Sequence, residues 1–266
     1  MTFYELCGND KPLSFILGPC VYESTEHAKM MAGAIKSIVD AHNANFIFKM
    51  SYDKANRTNA ESFRGLGFDE GYYGIKAVQS MGIEVLTDIH EAWHCDIIDS
   101  DIIQIPALLC RQTDLIKAAA VSGKVVNVKK GQFLSPLDML EVVKKLEHFG
   151  AKKIIITERG TMFGYNNLVV DMRSLEIMKR AGYPVFMDCT HSVQFPGGLG
   201  SKSGGDREMA KVIARAATAV GIAGLFMEVH NDPDNAPSDG PNMIKIEELN
   251  ALLMICTGVD YSIKKR

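Results

Sequence analysis

The chain has 266 residues, 47% hydrophobic and 23% charged, and its 29 basic and 32 acidic side chains sum to −3. A chain of this length and make-up buries a sizeable core, which excludes disorder, collagen and small disulfide scaffolds, and its near-neutral charge offers no field for nucleic acid or an anionic membrane. Six scattered cysteines without a CxxC pair argue against a zinc knuckle or a secreted disulfide framework, and no run approaches the ~18 apolar residues of a membrane span, so a cytoplasmic protein is expected.

Short runs rich in Ile, Val and Phe alternate with segments of helical period. After an N-terminal extension before Phe15, read as a small hairpin, strands are expected at 15–20, 45–51, 83–89, 101–106, 125–131, 153–160, 184–191 and 224–230. Helices are expected between and after them at 25–40, 71–80, 112–121, 136–149, 172–181, 207–220 and 246–257, with a short turn near 91–99. Ser135-Pro136 marks one helix start, and Gly150 and Gly182 follow two helix ends. Near-continuous apolar strands joined through helices imply a parallel sheet covered by helices. Eight such units at roughly 33 residues each fit a (β/α)8 TIM barrel of the α/β class, typically ~250 residues, better than an open doubly wound sheet. No composition shift divides the chain, so residues 1–266 read as one barrel domain. Two long Gly/Pro/Asp-rich loops, 195–208 and 231–243, follow late strands and read as lids.

A barrel does its chemistry at the carboxyl ends of its strands. Those ends carry Cys20 with Glu23, then Lys49, Asp88, Gln104, Lys129, Arg159, His191 and Glu228. Period-2 alternation places Asn127 with Lys129, Thr157 with Arg159, Met187 and Cys189 with His191, and Phe226 with Glu228. Lys49, Lys54, Arg57, Lys129 and Arg159 would form a convergent cationic group, and such a group repels itself unless an anion fills it. With no GxxxxGK[ST] or GxGxxG loop, the expected anion is a small phosphorylated metabolite. Cys20, His191, Glu228 and one of Asp232, Asp234 or Asp239 could meet where strands one and eight close the barrel. That donor set suits Zn²⁺, Fe²⁺ or Mn²⁺ better than Mg²⁺. Cys189, a layer deeper, reads as core. Asp88 could orient a substrate hydroxyl or a water, and Gln104 offers a donor and an acceptor to a polyol.

GPCVYES (18–24), FKMSYDKANR (48–57), DCTHSVQFPGGLGSKSGG (188–205) and FMEVHNDPDNAPSDGPN (226–242) closely resemble, in order, motifs of the 3-deoxy-D-manno-octulosonate 8-phosphate synthase family. The resemblance runs from about residue 13 to the last helix. It implies a (β/α)8 barrel, usually a homotetramer with active sites near a subunit interface. It also implies condensation of phosphoenolpyruvate with D-arabinose 5-phosphate for lipopolysaccharide biosynthesis. Carried over residue by residue, Lys49, Ser51 and Lys54 would meet the phosphoenolpyruvate carboxylate, and the Ala107 backbone, Lys129 and Arg159 its phosphate. Asn56, Arg57 and Thr58 match the arabinose 5-phosphate segment, where Thr58 replaces the usual Ser. The metal-independent branch has Asn at the position of Cys20, so this chain resembles the metal-dependent branch, with Cys20, His191, Glu228 and Asp239 as ligands. Lys49, Asp88, Lys129 and His191 are expected to carry the chemistry, with Gln104 among the substrate contacts. The related alternative is a phosphoenolpyruvate-dependent synthase using erythrose 4-phosphate or an N-acetylhexosamine.

Overall fold

A computed structural model describes residues 1–57, 59–165, 167–195 and 204–265. Eight strands form the barrel: β1 (Ser14–Gly18), β2 (Asn45–Lys49), β3 (Val85–Asp88), β4 (Ile102–Ile105), β5 (Val125–Lys129), β6 (Ile154–Glu158), β7 (Val185–Asp188) and β8 (Gly224–His230). Each pairs in parallel with the next, and β8 returns to β1 with Ser14 opposite Gly224 and Gly18 opposite Glu228. This closed sheet is the barrel expected from the sequence.

Helices α1 (Phe3–Leu6), α2 (Thr25–Ala41), α3 (Phe68–Gln79), α4 (His94–Ile97), α5 (Thr113–Val121), α6 (Pro136–His148), α7 (Met172–Lys179), α8 (Arg207–Ala219) and α9 (Ile246–Lys264) follow. Ser135 caps α6 through a capping box with Asp138, as its Ser-Pro start suggests. α9 runs seven residues past its expected end at 257 because nothing in TGVDYSIK stops a helix. The N-terminal extension forms the one-turn α1 rather than a hairpin, with Thr2 and Glu5 closing a capping box. Phe3 is buried against Phe186, ring centroids 6.1 Å apart, and its N–H donates to Glu84 Oε2 at 2.5 Å. α1 thus plugs the end of the barrel remote from the strand carboxyl termini.

Strand alternation separates two cores. Ile16, Ile47, Leu86, Ile102, Ile155, Phe186 and Phe226 fill the barrel interior, whereas Leu17, Phe48, Val128, Met187 and Cys189 pack outward under the helices. Cys189 is therefore core, as expected, but Met187 and Cys189 do not share the inner face with His191. β7 ends at Asp188 and a 3-10 turn, His191–Val193, follows, so the period of two stops before His191 is reached. Asp188 is the inward residue above Phe186.

Above the apolar interior lies a polar rung. Asp88 accepts from the Ser51 hydroxyl and the Gln104 amide, Gln104 Oε1 accepts from Asn127 at 2.8 Å, and Asn127 Oδ1 accepts from the Thr157 hydroxyl at 2.7 Å. The chain of donors runs one way across β6, β5, β4 and β3 and fixes every amide orientation. The lid expected at 195–208 falls largely on 196–203, outside the described residues. Its described base is the pair Gln194–Phe195 with Gly204–Gly205, held where Arg207 donates to the carbonyls of Met243 and Gly240.

Candidate active site

The strand carboxyl ends surround a cavity of about 490 Å³. Lys49, Lys54, Asn56, Arg57, Asp88, Gln104, Ala107, Lys129, Arg159, His191 and Asp239 all line it, so most of the expected substrate residues converge. Ser51 lies beneath, accepting from the Lys54 ammonium at 3.1 Å and donating to Asp88. Thr58 lies outside the described residues.

Two of the cations lie over one aromatic ring. Lys129 Nζ is 3.7 Å and Lys49 Nζ 5.8 Å from the centroid of Phe226, which rises from the barrel interior between them. Lys49 also donates to the Cys20 carbonyl at 3.1 Å and stands 3.6 Å from Glu228 and 4.0 Å from Asp88. Arg159 is fixed by the Gln194 side chain at 3.1 Å and the His191 carbonyl at 3.2 Å, while its other terminal nitrogen is buried without a hydrogen-bond partner among the described residues. Burial lowers the pKa of Lys129 and Arg159, and nearby carboxylates, Asp188 first, oppose that shift. Burial would raise Asp88, but Lys49 and Lys54 hold its carboxyl well below the ordinary range. Gln104 reaches the cavity wall yet uses its amide on Asp88 and Asn127, so it orients Asp88 from the side.

Behind this cationic rim the metal-ligand types meet. Cys20 Sγ lies 3.1 Å from Asp239 Oδ2, and His191 Nε2 lies 3.4 Å from Glu228 and 3.8 Å from Asp239. Asp239 is singled out from the other two aspartates of its loop by a left-handed backbone, φ 54°, that turns its carboxylate inward. Asp234 instead pairs with Arg207 and Lys245, and Asp232 accepts from Asn235.

His191 Nδ1 faces Asp188 Oδ2 at 2.8 Å, and the tautomer protonated there, toward the carboxylate, leaves the lone pair on Nε2. Neither oxygen of Glu228, 1% exposed, has a hydrogen bond among the described residues. An imidazole nitrogen, two carboxylates and a thiol therefore meet, bordered by Lys49 at 3.6 Å from Glu228, Arg57 at 3.8 Å from Asp239 and the Ser238 hydroxyl at 3.1 Å from Cys20 Sγ. Burial and the adjacent Asp239 and Glu228 push that thiol well above its ordinary pKa, and Lys54 and Lys49 oppose the shift. Cys20, Glu228 and Asp239 each bring a ligand atom within 4.8 Å of the others, and His191 Nε2 joins them from the two carboxylates' side at 3.4 and 3.8 Å, where ligand atoms of a tetrahedral ion at ~2.1 Å would sit roughly 3.4 Å apart. The residues fit a divalent ion.

A neighbouring group, Glu23, His27 and His230, is different. His230 Nδ1 accepts the Asp232 backbone N–H at 2.9 Å, so its Nε2 carries the proton donated to Glu23 at 2.8 Å and has no lone pair for an ion. The pair ties the loop after Cys20 to the end of β8. Glu23, a strand-end candidate, is thus spent on a clamp.

Sequence reasoning missed Asp188 and Gln194. The first is signalled by the inward alternation Phe186, Asp188, which the mistaken register through His191 concealed. Gln194 lies in the turn beyond the strand, where no periodicity points to it.

A family model described as the DAHP synthetase I family matches residues 4–265. A curated relative from Bartonella henselae is 52% identical over 260 residues, covering 97% of this chain and 93% of its own. One from Rickettsia bellii is 54% identical over 249 residues, 92% of this chain and 91% of its own. A third, from Nitrobacter hamburgensis, is 56% identical over 250 residues, 92% and 87%. All three are named 2-dehydro-3-deoxyphosphooctonate aldolase.

Proposed function

The chain belongs to the DAHP synthetase I family, and from that premise we propose that it condenses phosphoenolpyruvate with D-arabinose 5-phosphate and water. The products are 3-deoxy-D-manno-octulosonate 8-phosphate and inorganic phosphate, for lipopolysaccharide biosynthesis. One observation carries the reading: a cationic rim of Lys49, Lys54, Lys129 and Arg159 lines one cavity with His191 and Asp239, and these two adjoin the buried Cys20 and Glu228.

Phosphoenolpyruvate presents a carboxylate and a phosphate. Lys49 and Lys54, steadied by Ser51, suit the first, and Lys129, Arg159 and the Ala107 turn suit the second. Held at two points, its C3 forms a bond to the sugar aldehyde carbon while water adds to C2. The aldehyde oxygen takes a proton, and the tetrahedral C2 then breaks its bond to the phosphate oxygen and becomes a ketone. Asn56 and Arg57 line the side where the sugar phosphate would enter. Asp88, kept anionic, can hold a water or hydroxyl against Lys49. A divalent ion held by Cys20, His191, Glu228 and Asp239, of the Zn, Fe or Mn type, would polarise or orient the aldehyde end of the sugar.

The assembly is read as a homotetramer of single-domain barrels spanning 1–266. Support comes from apolar side chains on three successive mouth loops, Leu108, Phe133 and the Met162–Phe163 tip, each about half exposed or more. The last two loops are joined where the Met162 N–H donates to the Gln132 carbonyl at 2.9 Å. Buried, unbridged thiols suit a cytoplasmic setting, and no helix among the described residues is long and apolar enough to cross a membrane.

Phosphate release from phosphoenolpyruvate, assayed with a panel of aldoses, tests the function. Turnover should require arabinose 5-phosphate and fall after exhaustive chelation. A clear preference for erythrose 4-phosphate would overturn the assignment.

A further inference from the structure

Asp188 lies outside both residue sets expected from the sequence and touches both. One oxygen, Oδ2, lies 2.5 Å from the Lys129 ammonium and 2.8 Å from His191 Nδ1. The other accepts the His191 backbone N–H at 2.9 Å and the Thr190 hydroxyl at 3.3 Å. The carboxylate has no exposed surface. Lys129 and His191 therefore compete for one buried oxygen, and their nitrogens stand 3.5 Å apart.

We propose that Asp188 is a positioning residue that couples the phosphate subsite to the ion subsite, so that an oxyanion on Lys129 tightens ion binding through His191. Donors on one oxygen divide its charge. Once a phosphate takes up the Lys129 ammonium, the shared oxygen is left to the imidazole N–H. A stronger acceptor at Nδ1 makes Nε2 a better ligand, and such outer partners commonly change metal affinity 10- to 100-fold. The coupling is reciprocal: the ion tightens phosphate binding by the same factor.

The coupling rests on the proposed ligand set, and its test separates the two. Mn²⁺ affinity is measured by the free-ion EPR signal with and without saturating inorganic phosphate, corrected for Mn²⁺ held by phosphate alone, in the wild-type, D188N and K129M proteins. In the wild type, phosphate should lower the Mn²⁺ Kd at least ~5-fold. D188N should bind the ion ~10- to 100-fold more weakly and respond to phosphate less than about 2-fold. K129M, which removes one claimant, should bind at least as tightly as the phosphate-loaded wild type and ignore phosphate.

A simple field effect of the phosphate charge would survive in D188N, so equal responses in wild type and D188N overturn the coupling. Wild-type binding that ignores phosphate also overturns it while leaving the ligand set standing. No Mn²⁺ binding to the wild type overturns the ligand set itself. Should D188N fail to fold, the sign of the K129M change decides.

Discussion

Glu228→Gln is the sharpest test of the ligand cluster, because the substitution keeps shape and removes only charge. Glu228 is buried beside Lys49 at 3.6 Å and His191 at 3.4 Å, with no hydrogen bond to either oxygen among the described residues. An ion present at 100 times its Kd stabilises the wild type by ~2.7 kcal/mol. At about 2–4 °C per kcal/mol for a chain of this size, loading should raise Tm by roughly 5–10 °C. If the lost charge weakens the ion about a hundredfold, the same concentration leaves ~0.4 kcal/mol and a shift of about 1 °C. Without the ion the variant should melt close to the wild type. Its lost attraction to Lys49 is offset by removal of a carboxylate that burial leaves unsatisfied. Scanning calorimetry with chelator and with added Zn²⁺ or Mn²⁺ measures all four states. An undiminished ion-induced shift in the variant would refute the assignment of Glu228 as a ligand.

Cys20→Asn should retain more phosphate-release activity than Cys20→Ala, because Asn supplies polar contacts beside Asp239 even without an ion; equal loss in both counts against a polar role there. Arg159→Lys gives up the planar fork held by Gln194 and the His191 carbonyl, and should raise the phosphoenolpyruvate KM about tenfold with a smaller change in kcat. Steady-state kinetics in which kcat alone fell would place Arg159 elsewhere in the reaction. Gly18→Ala puts a Cβ 2.1 Å from the Lys49 carbonyl oxygen, where β1 and β2 touch between Cys20 and Lys49. It should cost ~1–3 kcal/mol and lower activity together with Tm; unchanged melting would mean the strands part freely.

What the sequence revealed and what it hid have a common physical cause. The inner face of each strand is apolar toward the α1 plug and polar at the mouth, as in Ile47 and Lys49, Phe186 and Asp188, or Phe226 and Glu228. A period of two exposes that gradient wherever the strand continues, so the barrel and most of its rim were legible. Where the strand stops, the period misleads. His191 opens a 3-10 turn, and counting through to it groups it on one mouth-facing side with Met187 and Cys189, which the structure turns outward. The two-residue strands at Thr161–Met162, Leu168–Val169 and Ile244–Lys245 are too short to show any period. α1 was mistaken for a hairpin because a single turn gains its stability from Phe3 on the barrel floor, a contact 183 residues away.

Residue types at strand ends identify which charges reach the mouth, but not how they pair. Lys129 and Asp188 are 59 positions apart, and only barrel closure makes them neighbours. The cation that reads from the sequence as a free phosphate ligand is therefore already engaged, through a carboxylate that also meets His191, the proposed metal ligand. In the proposed site a substrate phosphate would compete with Asp188 for Lys129, and the weakened hold of Lys129 on Asp188 would be part of substrate binding.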